Sequence, residues 1–334
     1  MAFVPGYTSY FSFPSSEANH LTHNSGYSGV ATFVRENSNG RPWATEVTLV
    51  NDVSEIFAKD LFDHLEEDSL FEKRWSGKFK WNIDDDHVSW RQVDREGRCI
   101  VTKHAIRIGD TDASHLNEWL YIFNLYCPRN DSSRPDRELF QLKFYHLVER
   151  RIRALFDDSS NCNHVIVVGD FNTAHGPIDV YNDDEFSYLG SNSRIWLQEL
   201  LNQGKLVDAF RHMNGDVTGA FTCWNTQIGG RHTNYGSRID YILVDRRLCP
   251  YMHHCSHLTK VDGSDHCPVI AQFDDQIRFI NPDHQYYSIH CTRRWPEFDP
   301  MKQRGSIRRL LTTTKPNIHQ NRDDQSGSSS HNRI

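Results

Sequence analysis

The eight cysteines of this 334-residue chain include no CxxC pair, so the sequence signals neither a structural zinc module nor a compact disulfide framework. Several sit inside apolar runs such as "CPVIAQF", which points to buried free thiols in a reducing compartment. No apolar run approaches the roughly 20 residues of a membrane span, so no membrane partner is expected. The opening "MAFVPGYTSYFSF" lacks the basic start and apolar stretch of a signal peptide, and the expectation is a soluble intracellular protein that is not secreted. Basic charge is not in excess: 37 Lys and Arg against 44 Asp and Glu leave a formal net charge of -7. General polyanion binders carry a basic footprint, so that class is disfavoured, whereas a local basic cleft or a metal-assisted phosphate site is not. There is no internal repeat.

What is present reads as a mixed α/β chain. "YTSYFSF" and "YSGVATFV" are strand-like, with Gly26 and Gly29 bracketing a turn. Residues 54–96 carry a weak helical pattern among charges and read as an insertion. "RCIVTKHAIRI" and "LNEWLYIFNLYCP" are strands rich in aromatic and β-branched residues. "SSRPDRELFQLKFYHLVERRIRALF" is the best helix, with Ser133 as cap, Pro135 in the first turn and Leu139, Leu142, Tyr145, Leu147, Val148, Ile152 and Leu155 near helical spacing. A strand at 164–168, a helix at "SRIWLQELLNQG" ending at Gly204, and the strands "SRIDYILVD" and "HCPVIAQF" follow. Such an order suits a layered α/β domain over residues 1–275. The pattern then fades through 276–311, and the nearly apolar-free residues 312–334 are expected to be a disordered tail.

Three apolar strands carry acidic groups at or near their ends: Asp170 with Asn172 in "VVGDFN", Asp240 in "SRIDYILV", and Asp265 with His266 in "GSDHCPVIA". A carboxylate in a strand faces a desolvation cost of several kcal/mol unless it is paired or bound to metal. One such residue is explained by a turn; three with an adjoining imidazole are not. Oxygen ligands suit a hard cation, Mg²⁺ or Mn²⁺, and that combination suits phosphate chemistry.

"HVIVVGDFNTAHGPIDV", "FTCWNTQIGGRHTNYGSRIDYIL" and "GSDHCPV", in that order, closely resemble the exonuclease III-type abasic-site endonucleases of the endonuclease/exonuclease/phosphatase superfamily. "FNLYCPRNDSSRPDRELFQLKFY" is similar to their N-x-Y-x-P segment, and "CWNTQIGGRHTNYGSRIDY", "GYSGVATF" and "CTRRWPEFDP" resemble the abasic endonuclease 2 branch. The resemblance covers about residues 3–311. It implies a layered α/β sandwich in which two packed mixed β-sheets are flanked by helices. The implied activity is Mg²⁺- or Mn²⁺-dependent cleavage of DNA at abasic sites and at blocked or mismatched 3′ ends, in base-excision repair in the nucleus and also in mitochondria. It further implies that Asp170 activates or orients the attacking water with Asn172 beside it, and that Tyr126, with Asn124 nearby, reaches the scissile phosphate. His266 would stabilise the transition state, Asp240 would orient His266, and Asn234 would contact the phosphate backbone. Asp170, Asn172, Asp265 and His266 form the implied metal set. Trp224 is expected in the wall of the sugar pocket. His175 matches the family's "N-x-A-H", as a substrate contact or as a turn histidine.

The chain departs from the family pattern in three places. The family's opening strand ending in Asn, and its "Q-E" motif with a metal-binding Glu, have no counterpart; Glu17 and Glu36 lie in polar loops. Two core strands, a helix and a metal ligand are therefore expected to be missing, and the chain, as a short isoform or fragment, is expected to have severely reduced nuclease activity. Cys223 and Ser237 stand where aromatics close the pocket in the more strongly endonucleolytic branch, which favours 3′-end processing over strict abasic incision. "RGSIRRLL" keeps the spacing of a sliding-clamp (PCNA) box through Ile307, Leu310 and Leu311 but lacks its Gln and aromatics. A superfamily phosphatase acting on phosphoinositides or nucleotides is the competing enzyme reading.

Overall fold

The computed structural model describes residues 4–14, 28–36, 38–49, 71, 74–75, 88–109, 118–131, 134–182, 191–281 and 290–294. The chain opens with strands β1 (Tyr7–Ser12), β2 (Val30–Arg35) and β3 (Ala44–Glu46), then a short helix α1 (Trp90–Asp94). Next come β4 (Cys99–Ile108), β5 (Glu118–Tyr126), helix α2 (Pro135–Asp157) and β6 (Cys162–Asp170). Helix α3 (Ser191–Asn202), strand β7 (Leu206–Asp208) and helix α4 (Ala209–Asn214) follow. A tight segment comprises β8 (Cys223–Trp224), helix α5 (Gly230–Thr233) and β9 (Gly236–Ser237). The last strands are β10 (Asp240–Asp245), β11 (Met252–His257), β12 (Val269–Phe273) and β13 (Ile277–Ile280).

A seven-stranded sheet runs β13-β4-β5-β6-β10-β7, with β3 also on β4. Only β5 and β6 pair in parallel; the other ladders of this sheet are antiparallel, so the sheet is mixed. A parallel pair needs a long crossover, which α2 supplies. Strand β6 is buried on both faces, which accounts for its unbroken apolar run. Val165 and Val167 join the cluster formed with Leu142, Tyr145 and Ile152 of α2 and Trp196 of α3. Ile166 and Val168 face the other way, into a cluster with Phe210 of α4, Leu248, Met252 and Cys255. The β11–β12 pair thus forms a second β layer, and the chain is the expected layered α/β sandwich with helices on its flanks. Each fully buried aliphatic side chain stabilises this stack by about 1.5–3 kcal/mol.

Three details differ from the sequence reading. Helix α2 starts from Arg134, which makes no side-chain capping bond; Pro135 fixes the first turn instead. Beyond residue 275 the chain still joins the sheets: β13 pairs with β4, and Thr292 hydrogen-bonds Ser9 of β1. Strand β13 is only four residues long with alternating exposure, too short a signal to separate from a fading pattern. Within the stretch read as an insertion, Phe71, Trp75, Trp90 and Val93 lie in the main core against α2. Residues 54–70, 72–73 and 76–87 of that stretch, the expected cap Ser133, the clamp-like segment Ile307, Leu310 and Leu311, and the expected tail lie outside the described residues. Among the described residues no helix is long and apolar enough to cross a membrane.

Candidate functional site

The parallel register sets Tyr126 beside Asp170, and the antiparallel register sets Asp170 opposite Asp240. A tyrosine and two carboxylates therefore stand in one row across β5, β6 and β10, at the end of the sheet where β5 and β6 finish. Gly169 permits this row. Its φ is +134°, and a Cβ there would lie 1.9 Å from the Leu125 carbonyl oxygen. Asn172 at φ +49° turns the chain immediately afterwards, in a conformation asparagine tolerates. Its backbone N–H donates to Asp170 Oδ1 at 2.8 Å and its amide nitrogen to Asp170 Oδ2 at 3.0 Å. The amide also reaches the Cys127 carbonyl at 2.8 Å, so Asn172 holds Asp170 against the strand beside it.

Behind the turn the loop is fixed by two buried tyrosines. The Tyr145 hydroxyl meets the Phe171 carbonyl at 2.5 Å and Thr173 Oγ1 at 2.9 Å. The Tyr241 hydroxyl lies 2.9 Å from the Thr173 carbonyl and accepts the His175 N–H at 2.9 Å.

His266 closes the row from the side. Its Nδ1 lies 2.8 Å from Asp240 Oδ2, and its backbone bridges to Cys223. The same Asp240 oxygen accepts Thr222 Oγ1 at 2.6 Å, while Thr222 Oγ1 in turn accepts the Ile239 and Asp240 N–H groups at 3.1 Å. Burial alone would push the His266 imidazole pKa down. Its bonds to Asp240 and Cys223 and their charges outweigh this and raise it to about 11, so the ring is a cation at neutral pH. Asp170 is raised as well, which for a carboxyl disfavours the charged form: burial, then the Asp240 charge, raises it to about 7. The imidazolium lies on Asp240, so Asp170 is the carboxylate left short of positive charge, and it suits a divalent cation held by oxygen ligands.

The expected metal set divides in space. Asp265 and His266 gather with Cys223, their ligand atoms all within 4.8 Å of one another. Asp170 and Asn172 bond each other instead.

Other expected residues are used for support. The Asn124 amide donates to the Ala31 carbonyl at 3.0 Å and to Thr32 Oγ1 at 3.1 Å, tying β5 to β2. Trp224 is 4% exposed, and its indole N–H donates to Asn234 Oδ1 at 3.0 Å. Asn234, at φ +52°, spends its amide nitrogen on the Gly219 carbonyl at 2.9 Å. The Asn234 side chain thus locks the β8–β9 segment internally. The His175 ring pairs with Gln198 Oε1 at 3.0 Å, as a turn histidine does. Tyr126 is 37% exposed, so its hydroxyl is available to a ligand. Cys223 bridges to His266 on one side and is the register partner of Ser237 on the other.

Three contributors were not read from the sequence. Thr222 sits in "AFTCW" with only its polarity inside an apolar run to mark it. Arg238 is fully buried; it grips Asp179 at 2.7 and 3.0 Å and pairs with Asp208 at 2.7 Å, fixing the strand two residues before Asp240. The Arg98 guanidinium lies 4.7 Å from the Tyr126 ring centroid and donates to the Tyr126 carbonyl at 3.2 Å. Only the spacing of an arginine near an acid hinted at either.

Carboxylates crowded at a sheet end beside an imidazolium place the chain among layered α/β proteins built to hold phosphate esters. The particular family follows from comparison: residues 3–266 match the Endonuclease/Exonuclease/phosphatase family, and the chain belongs to it. It is 36% identical over 310 residues to DNA-(apurinic or apyrimidinic site) endonuclease 2 of Homo sapiens, covering 89% of this chain and 53% of that protein. With the Xenopus laevis protein of the same name it shares 33% over 328 residues, covering 91% of this chain and 56% of that one. The chain thus spans about half the length of these curated relatives. The crystal structure of the Xenopus laevis APE2 catalytic domain superposes with a TM-score of 0.70 at 33% identity, covering 90% of this chain and 85% of that one.

Proposed function

We propose that this chain hydrolyses phosphodiester bonds of damaged DNA, at abasic sites and at blocked or mismatched 3′ ends, in the nucleus. The single observation that carries the reading is the row Tyr126–Asp170–Asp240 with the His266 imidazolium bonded to Asp240. The similarity to proteins named as abasic-site endonucleases selects DNA over other phosphate esters.

Asp170 and Asp265 are the oxygen groups that would hold Mg²⁺ or Mn²⁺. When bound, such an ion offsets charge on the phosphoryl oxygens. Asp170 stands where it would orient the attacking water. Asn172 keeps that carboxylate pointed along the strand axis. His266 carries its positive charge to the developing phosphorane, and Asp240 and Thr222 fix its ring. Tyr126 offers its hydroxyl to the scissile phosphate. Small side chains at Cys223, which bridges to His266, and at its partner Ser237 favour trimming of 3′ ends over strict abasic incision. A sliding clamp held through Ile307, Leu310 and Leu311 is part of the same proposal.

The test is turnover, with Mg²⁺ and with Mn²⁺, on three substrates: a 3′-blocked nicked duplex, an abasic duplex and a soluble phosphoinositide. The 3′-blocked duplex is expected to be processed fastest and the phosphoinositide left intact. Turnover of the phosphoinositide alone overturns the proposal in favour of a phosphatase.

A further inference from the structure

The opposite end of the β5–β6 pair holds a second set of ligating side chains. Glu118 opens β5, Cys162 opens β6, and the two are register partners. His164 stands two residues beyond Cys162, on the same face of the strand. The glutamate, thiol and imidazole therefore converge by strand periodicity. Their ligand atoms all lie within 4.8 Å of one another. This set is eight residues along β5 from Tyr126, roughly 26 Å away at the rise of a parallel strand.

The geometry is that of a coordination shell. His164 Nε2 lies 3.5 Å from Glu118 Oε1 and 3.5 Å from Cys162 Sγ. A tetrahedral ion with bonds of about 2.0 Å to nitrogen and oxygen and about 2.3 Å to sulfur sets its ligands roughly 3.3–3.6 Å apart. The side chains behind are also arranged for it. Asp245 Oδ2 sits 3.3 Å from His164 Nδ1, the carboxylate–imidazole pairing that directs the other ring nitrogen at a metal. The Ile108 N–H donates to Glu118 Oε2 at 3.1 Å, leaving Oε1 turned toward the imidazole. His164 is 3% exposed, so its ring has little freedom to leave. Arg247 grips Asp245 and makes only a long contact, 3.9 Å, to Cys162 Sγ. The negative charges of Glu118 and Asp245, set against Arg247, leave one uncompensated, and a divalent cation that takes Cys162 as thiolate brings the cluster to neutrality.

We propose that Glu118, Cys162 and His164 bind a borderline-soft divalent cation of the Zn²⁺ class, with water in the fourth position. A thiolate and an imidazole select such an ion over Mg²⁺. The ion clamps the starts of β5 and β6, the two strands whose far ends deliver Tyr126 and Asp170. Asp245 is a positioning residue for the His164 ring. The site is independent of the DNA-cleavage proposal, because it shares no side chain with it.

The test uses the full chain, reduced and stripped of metal, titrated with Co²⁺ and then with Zn²⁺ against a chromogenic chelator. A thiolate-to-cobalt charge-transfer band reports the cysteine ligand and needs no activity. Cys223→Ser removes the thiol near the catalytic row and is expected to keep one tight equivalent with that band. Cys162→Ser is expected to abolish the band, and Glu118→Gln to weaken Zn²⁺ binding with the band retained. Asp245→Asn is expected to lower Zn²⁺ affinity by about 10–100-fold. Far-UV circular dichroism of each metal-free variant shows whether it is folded. A band that survives Cys162→Ser and vanishes with Cys223→Ser overturns the proposal, as does a wild-type chain that binds no tight equivalent of either ion.

Discussion

Two buried acidic clusters flank the start of β10, and they are built on opposite principles. Asp179 is 1% exposed and Arg238 0% exposed, and the arginine meets it with two nitrogens while Arg211 adds a third contact at 2.5 Å. Burial would raise the Asp179 carboxyl, but the bonds and charges of Arg238 and Arg211 hold it below its ordinary value. Glu96 and Glu149 repeat the pattern, each lowered by two arginines against burial. Asp170 is also withdrawn from water, yet its nearest charge is another carboxylate, Asp240, and it is pushed up to about 7. A carboxylate kept for structure is saturated with guanidinium; one kept for chemistry is left short of positive charge. Only Ile239 separates Arg238 from Asp240, so the saturated cluster anchors the strand that carries the unsaturated one.

The largest effect comes from breaking the saturated cluster. Arg238→Met strands Asp179 and Asp208 without their shared cation, and removal of one partner from a buried pair costs about 3–5 kcal/mol. Urea unfolding of the metal-free chain measures it; a loss under 1 kcal/mol would mean the cluster is replaceable packing. Next is the imidazolium of the other cluster. His266→Asn is expected to lower the cleavage rate about 10³-fold or more, equivalent to about 4 kcal/mol, with unfolding stability changed far less. Equal losses in rate and stability would erase the distinction between the two clusters.

Thr222→Val then probes the seam between them. It removes a hydrogen bond to the Asp240 carboxylate and the acceptor of the Ile239 and Asp240 N–H groups. A charge-assisted bond contributes about 1.5–3 kcal/mol, so turnover should fall about tenfold or more while KM for DNA holds. A change in KM alone would place Thr222 in substrate binding instead of ring positioning.

The sequence exposed the unsaturated cluster better than the saturated one, for a physical reason. Asp170, Asp240 and His266 end or interrupt apolar strands, so each stands out against its neighbours. Asp179 and Arg238 lie 59 residues apart, and nothing local marks either as the partner of the other. Helix α2 was legible because its apolar positions repeat over several turns; β13 was not, being short and half exposed. The internal bonds of Asn124, Trp224 and Asn234 were not legible, because a motif shows that a polar group is needed and not what it bonds. Cys162 and His164 were passed over because a C-x-H spacing signals a metal only once Glu118 is known to be their neighbour across the parallel ladder.

The smallest effect separates the clusters by pH. A carboxyl raised on folding binds more protons in the native state than in the unfolded chain, so its contribution is full below the unfolded value and is lost as pH climbs through the folded one. For Asp170 that window runs from about 4, the unfolded aspartate value, to about 7. The metal-free chain should therefore lose stability across this window by at most about 1.4 kcal/mol per pH unit. Asp179, lowered on folding, has the opposite sign, and its contribution is lost only as pH falls through its depressed value. Asp170→Asn should flatten the slope between pH 4 and 7 and leave the metal-free variant more stable than the parent at pH 8. Saturating Mg²⁺ should do the same to the parent, by replacing the missing positive charge, and EDTA should restore the slope. If the slope survives Asp170→Asn unchanged, the strain lies elsewhere, and Asp170 is as fully compensated as Asp179.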